Sequence, residues 1–479
     1  MLFNSLGFAF FLPIVFLIYW FGAKDHLRRQ NFVLLIASYF FYACWDYRFL
    51  FLLIFSTVLD YYTGIKIEEG KTQSKKKLWL TISVVTNLGF LGVFKYYNFF
   101  VQSFVDSVSY LGLSVDPFTL QIILPVGISF YTFHGLSYVI DIYYGRIRAE
   151  RNFIEYADFV SFFPLLVAGP IERATHLLPQ MKKARTFSYS QGMDGLRLML
   201  WGFFKKIVIA DNCAPYVDQI FSNYESASGA ELVLGAVFFA IQIYGDFSGY
   251  SDIALGTAKL FGIELMINFR TPYFSRDIAE FWRRWHISLS SWFRDYLYIP
   301  LGGSKGGKLR AIRNTFIVFI VSGFWHGANW TFIVWGLLNA IYFLPLLIFD
   351  RNRQNMDVVA RERFFPNFKE VLQIALTFGL TCVAWVFFRS ETVGAALNYL
   401  NNVVDGNFME RTLKAPPRFL FFCLALFLII EWLIRNDGIN GLIRSVKLGP
   451  VRYAFYLLLI CVIGLLGAFG ETEFIYFQF

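Results

Sequence analysis

The chain has 479 residues, 57% of them hydrophobic, 20% aromatic and only 16% charged, against roughly a quarter charged in ordinary soluble domains. Apolar runs recur from Phe8 to Phe469, and no hydrophilic stretch is long enough for a separate soluble domain. This excludes a soluble enzyme carrying one anchor and predicts a single all-α polytopic membrane domain over residues 1–479. The net charge of +9 does not indicate nucleic acid, because Lys and Arg fall mostly in short loops between apolar runs, the positive-inside pattern.

Met1–Ser5 lacks a basic region, and no small-x-small site follows the first apolar run, so Phe8 to Gly22 reads as an uncleaved first span. It ends at Lys24, Arg28 and Arg29, placed on the cytoplasmic side. Asn31 to Ile65 reads as two spans with an outer turn at Trp45-Asp-Tyr-Arg48, and Leu78 to Tyr97 crosses outward. The next loop, Gln102 to Pro117, carries Asp106 and Asp116 and no Lys or Arg. Ile122 to Tyr144 returns to Arg146, Arg148 and Arg151. Phe159 to Ala168 is short, ends in Gly169-Pro170 and has basic residues on both flanks, which suits a re-entrant or interfacial piece.

Spans follow near Leu196–Phe221 and Leu232–Leu255, the second containing Gly245-Asp-Phe-Ser-Gly-Tyr-Ser-Asp252. Its aspartates and serines could line a cavity, position a substrate or pair with neighbouring helices. Arg270 to Arg313 is more polar; Arg283, Arg284, Arg294, Trp282, Trp285 and Trp292 suit an amphipathic or re-entrant element at the cytoplasmic interface. His286 and the Arg294-Asp295 pair are more chemistry than interfacial anchoring requires. Leu301-Gly-Gly-Ser-Lys-Gly-Gly-Lys308 lacks the spacing of a nucleotide loop and reads as a flexible basic turn, with Lys305 available to an anionic ligand.

A run from about Phe316 to Phe349 is long enough to cross a bilayer and carries His326 among Gly323, Trp325, Gly327, Asn329 and Trp330. Asp350 to Lys369 is an inner loop, and spans near Val371–Phe388, Phe419–Leu433 and Tyr453–Phe469 complete about twelve crossings. The tail, 470–479, then emerges outside, which puts both termini outside. Cys44, Cys213, Cys382, Cys423 and Cys461 show neither metal spacing nor a disulfide framework and read as small hydrophobes.

A histidine within a membrane segment is a functional candidate by default, although a core histidine bonded to a neighbouring helix is the plainer reading. His134, with Ser and Tyr neighbours, reads as a packing residue; His286 and His326 are the acid–base candidates. Desolvation keeps a buried imidazole neutral, which suits a base that takes a hydroxyl proton. Acyl transfer from a thioester to an alcohol needs such a base and donors for the oxyanion. Asn329, expected one helical turn from His326 on roughly the same face, could supply one donor. Two histidines without a carboxylate or cysteine set make a poor metal site.

Phe281–Gly303 (FWRRWHISLSSWFRDYLYIPLGG), Ser322–Gly336 (SGFWHGANWTFIVWG), Asp246–Asp252 (DFSGYSD), Pro125–Gly145 (PVGISFYTFHGLSYVIDIYYG) and Phe163–Arg173 (FPLLVAGPIER) carry a resemblance. With it the chain resembles the membrane-bound O-acyltransferase family, most of all its bacterial alginate O-acetyltransferase membrane-subunit branch, over essentially its whole length. The resemblance implies transmembrane helices with re-entrant and interfacial helices around a central funnel. It implies a cytoplasmic mouth for acetyl-CoA, with no bound cofactor, and catalytic roles for His326 and His286. On that reading Arg283, Arg284 and Lys305 bind the donor, and Trp285, Arg294, Asp295, Trp325 and Asn329 bind substrate.

Phe474-Ile-Tyr-Phe-Gln-Phe479 is similar to a C-terminal aromatic motif of this branch, which implies that Tyr476 accepts the acyl group and hands it outward. An aromatic interface anchor is the alternative. The implied function is a bacterial inner-membrane enzyme that brings acetyl groups across the bilayer to O-acetylate an exported polysaccharide or cell-wall polymer, completed by an extracytoplasmic SGNH-like acetyltransferase. A D-alanyl-exporting teichoic-acid subunit of the same family and a non-enzymatic polysaccharide or lipid transporter are the alternatives.

Overall fold

Polar caps and glycine breaks divide the apolar sequence into helices. The computed structural model describes residues 1–24, 26–120, 123–167, 169–405, 408, 413, 415–470 and 474–475, and among them there is no strand. The chain folds as two compact units, Met1–Gly192 with Thr257–Met266, and Met193–Gly256 with Ile267–Phe479.

The first unit contains α1 (Leu6–Leu17), α2 (Leu27–Ala43), α3 (Tyr47–Glu69), α4 (Gln73–Leu91), α5 (Tyr97–Ser109), α6 (Ile128–Tyr143), α7 (Phe153–Ser161), α8 (Phe163–Leu166) and α9 (Ala174–Met181). Asp46 accepts the Arg48 backbone N–H at 2.9 Å and starts α3, so the turn expected at Trp45–Arg48 is formed. Helix α5 runs on to Ser109, through the first part of the loop expected from Gln102. Buried Asp60 on α3 accepts from Ser83 and Asn87 of α4 at 2.6 and 2.8 Å, the interhelical polar pairing that an apolar solvent favours. The piece expected to be re-entrant from Phe159 takes in the end of α7 and all of α8, helices nine and four residues long, both too short to span.

The second unit takes α10 (Tyr189–Phe203) from Met193 onward, then α11 (Asp211–Ser222), most of α12 (Gly229–Leu260), α13 (Ile278–Arg284), α14 (Ile287–Phe293), α15 (Lys308–His326), α16 (Trp330–Ile348), α17 (Phe368–Arg389), α18 (Val393–Asp405), α19 (Arg418–Leu433), α20 (Gly438–Ser445) and α21 (Gly449–Leu466). The span expected at Leu196–Phe221 is broken by a π-helical turn, Phe204–Ala210, a feature that often marks functional sites.

The crossing expected from Phe316 to Phe349 is instead two helices packed together. Helix α15 ends at His326, Gly327 is extended, and the Asn329 side chain accepts the Thr331 N–H at 3.0 Å to start α16. Glycines let the two backbones touch: a Cβ on Gly323 would stand 2.2 Å from the Phe332 carbonyl oxygen, and one on Gly336 would stand 2.3 Å from that of Phe319. His326 therefore sits at a helix end, and Asn329 belongs to the next helix.

Among the described residues six helices are long and apolar enough to cross a membrane, or seven if α19 and α20, bent by 83°, form one span. The count of about twelve from run lengths includes apolar pieces that fold as shorter or bent helices. Gly336→Ala is expected to lower stability by about 1–3 kcal/mol through the Phe319 clash. Gly379→Ala, with nothing within 4 Å of the new Cβ, should be neutral or stabilising by about 0.5 kcal/mol. Thermal unfolding of the detergent-solubilised variants measures both.

Candidate functional site

Asp277 caps α13 by accepting the Glu280 N–H at 2.7 Å, and the helix stops after two turns at extended Trp285. His286 follows with φ of 42°, a left-handed conformation that is costly for a residue with a side chain and concentrates at functional sites. Asn268 stabilises the kink: its carbonyl accepts the Ile287 N–H at 2.9 Å and its side chain accepts the Ser288 hydroxyl at 2.6 Å.

The kink turns His286 into an aromatic enclosure. The ring is 1% exposed, and neither nitrogen has a hydrogen-bond partner among the described residues. Phe247 packs edge-on at 4.6 Å, Trp325 at 6.1 Å and His326 at 6.5 Å between ring centroids. His286 lies outside the candidate spans, and burial lowers its pKa from the usual imidazole value to about 3, so the ring is neutral at ordinary pH. His326, 3% exposed, meets Trp325 at 5.0 Å, Trp335 at 5.1 Å and Phe388 at 5.4 Å. Trp285 belongs to the same wall through Trp385, which stacks on Trp335.

A cavity of about 700 Å³ runs along α15. Lys308, Ala311, Thr315, Val318, Phe319 and Ser322 line it from one face of that helix, and His326, four residues past Ser322, continues the face. Lys308 to Ser322 spans roughly 20 Å of helix at 1.5 Å per residue. Arg294, Asp350 and Arg353 also line it, and Trp282, Phe319 and Phe343 add apolar wall. Lys308 pairs with Asp350 at 2.8 Å, and Arg294 with Asp295 at 2.7 Å.

Of the sequence candidates, the structure brings together His286, His326, Trp285 and Trp325, and it places Arg294, paired with Asp295, in the cavity lining. Other candidates are engaged elsewhere. Arg283 donates to the Asn352 and Asn355 carbonyls at 2.9 and 2.6 Å. Arg284 pairs with Glu280 at 2.8 Å and donates to the Asp357 carbonyl at 3.0 Å. Both guanidinium groups thus hold the 352–357 loop. Lys305 is exposed and does not line the cavity, although Ser304 and Gly307 do. Asn329 does not share a helix with His326, contrary to expectation; its oxygen caps α16, and its amide donates to the Glu391 carbonyl at 2.8 Å. Tyr476 lies outside the described residues. In the first unit, His134 Nε2 accepts the Glu172 N–H at 3.1 Å, in line with a packing role.

Sequence reasoning missed Lys205 and Lys206. They are 3% and 1% exposed within the π-helical turn; Lys205 pairs with Asp252 at 2.8 Å, and Lys206 with Asp211 and Asp246 at 2.7 Å each. Adjacent lysines in an apolar run were the available signal, and of the roles left open for Asp246 and Asp252, pairing is the one observed. Trp335, Trp385 and Phe388 were also missed, since nothing in sequence separates enclosure aromatics from lipid-facing ones.

A model of the membrane-bound O-acyltransferase family matches residues 146–387. The chain is 42% identical over 399 residues to a probable alginate O-acetylase of Pseudomonas syringae pv. tomato, covering 83% of this chain and 74% of that protein. It is 35% identical to a peptidoglycan O-acetyltransferase of Helicobacter pylori, covering 100% and 98%. To a teichoic acid D-alanyltransferase of Bacillus subtilis it is 27% identical, covering 56% and 69%.

Arg283→Ala removes the donors to Asn352 and Asn355 and should speed tryptic cleavage at Arg351 and Arg353, whereas Lys305→Ala should leave that rate within about twofold of wild type. Peptide mass analysis over a digestion time course distinguishes the two.

Proposed function

This chain belongs to the membrane-bound O-acyltransferase family, and from that premise we propose that it takes acetyl groups from cytoplasmic acetyl-CoA and passes them across the membrane to an exported polysaccharide or cell-wall polymer. It is a multi-pass membrane O-acyltransferase. One observation carries the finer reading: the α15 cavity is lined by the cationic side chains of Lys308, Arg294 and Arg353 and by a helix face that continues to His326. Cationic side chains suit the phosphates of a CoA donor, and the apolar wall of Trp282, Phe319 and Phe343 suits its pantetheine arm.

In this reading His326 accepts the proton of the attacking hydroxyl as the new C–O bond forms, and the thioester C–S bond breaks with the thiolate leaving to become the CoA thiol. His286, neutral and 6.5 Å away, orients the hydroxyl or shuttles the proton. Arg283 and Arg284 support this site indirectly by fixing the loop that carries Asn352 and Arg353. Tyr476 is the proposed phenolic acceptor that passes the acetyl group to an extracytoplasmic SGNH-like transferase. The termini lie outside a bacterial inner membrane in this scheme. Identities of 35–42% to O-acetylating relatives, against 27% to the D-alanyltransferase, favour acetyl over D-alanyl.

The test is transfer of labelled acetyl from acetyl-CoA to acceptor in membranes carrying each variant. His326→Ala should lose about 100-fold or more in kcat, the scale of a general base; undiminished labelling sinks the mechanism. The double substitution Lys308→Ala with Arg353→Ala should instead raise the donor KM about tenfold with a smaller change in kcat.

A further inference from the structure

Asp246 uses its two carboxylate oxygens for different partners. Oδ1 meets the Lys206 ammonium at 2.7 Å, and Oδ2 accepts the backbone N–H of Ile475 at 2.7 Å. Lys206 is also held by Asp211 at 2.7 Å, so one ammonium serves two carboxylates and the tail N–H meets part of the remaining negative charge. Phe474, fully buried, lies 4.6 Å from Tyr250 and 5.8 Å from Phe247 between ring centroids. Phe247 is the ring that packs edge-on against His286. Upstream, the Ala468 N–H donates to the Ile207 carbonyl at 3.0 Å, and the Asn212 amide donates to the Leu466 carbonyl at 2.9 Å.

We propose that Lys206 and Asp246 form a clamp that seats the C-terminal segment on the aromatic wall behind His286, making both of them positioning residues for acyl transfer. The ammonium orients the carboxylate so that one oxygen is presented to a main-chain donor. What the clamp recognises at residue 475 is therefore the peptide N–H and not the side chain. Phe474 then fills the space between Tyr250 and Phe247. The kinetic consequence rests on the acetyl-transfer reading above; the seating itself does not.

Ile475→Pro removes that donor and sets a ring carbon against Asp246 in its place, while Ile475→Val keeps the donor in a similar side chain; both leave Lys206, Asp211 and Asp246 themselves unchanged. Cleavage at Glu471 and Glu473 by a glutamate-specific protease, followed by intact mass, reads tail seating on the whole protein in detergent. The proline variant should be cut about tenfold faster than wild type, the scale of one hydrogen bond to a charged acceptor, and the valine variant at the wild-type rate. In the labelled-acetyl assay the proline variant should lose about tenfold in kcat for transfer to acceptor, with the donor KM within about twofold. Equal cleavage of the proline and valine variants overturns the clamp. Faster cleavage with unchanged kcat overturns its positioning role. If wild-type membranes move no acetyl from acetyl-CoA, the donor reading fails, and the cleavage comparison alone upholds or overturns the clamp.

Discussion

A lysine ammonium enclosed by apolar helices costs several kcal/mol unless carboxylates meet it. Lys206 is met by Asp211 on α11 and Asp246 on α12, and much of the second unit's arrangement follows. The π-helical turn places both lysines where α12 can answer them, Lys205 to Asp252 and Lys206 to Asp246. Once α12 is fixed, Phe247 is fixed, and with it one wall of the His286 enclosure and the seat of Phe474. Deleting one partner would strand a buried charge, a larger loss than the pair's own net contribution.

The second constraint is steric. Helices α15 and α16 approach until backbone meets glycine, at Gly323 and Gly336, and the short turn between them holds His326 against Trp335 and Phe388. Asn329 starts α16 with its oxygen and ties it to the Glu391 carbonyl with its amide. The position of His326 thus depends on a contact between main chains, which tolerates side-chain exchange elsewhere on the two helices better than any added atom at the crossing.

Much of this was legible in the chain itself. Recurrent apolar runs gave the all-helical membrane class, and the motifs around His286 and His326 identified the two residues that the fold then brings within 6.5 Å. Run length failed at Phe316–Phe349, because hydropathy does not register a turn made from Gly327 and a capping Asn329. The contacts of Arg283 and Arg284 were not legible for a related reason. A basic pair beside an active-site motif suggests a phosphate ligand, but nothing local shows that main-chain carbonyls seventy residues later take up both guanidinium groups. Lys205 and Lys206 were passed over because charges within an apolar run are normally sorted to loops, and only the third dimension supplies their aspartates.

The solitary ring of His286 has a consequence of its own. Most buried histidines have their tautomer chosen for them by a carbonyl or carboxylate on one nitrogen. Here neither nitrogen is claimed by any of the described residues, so these leave the ring with no fixed donor side and no fixed acceptor side. Whatever polar group enters the enclosure sets the tautomer. The same imidazole can then offer a lone pair to one visitor and an N–H to the next, with its kinked backbone unmoved.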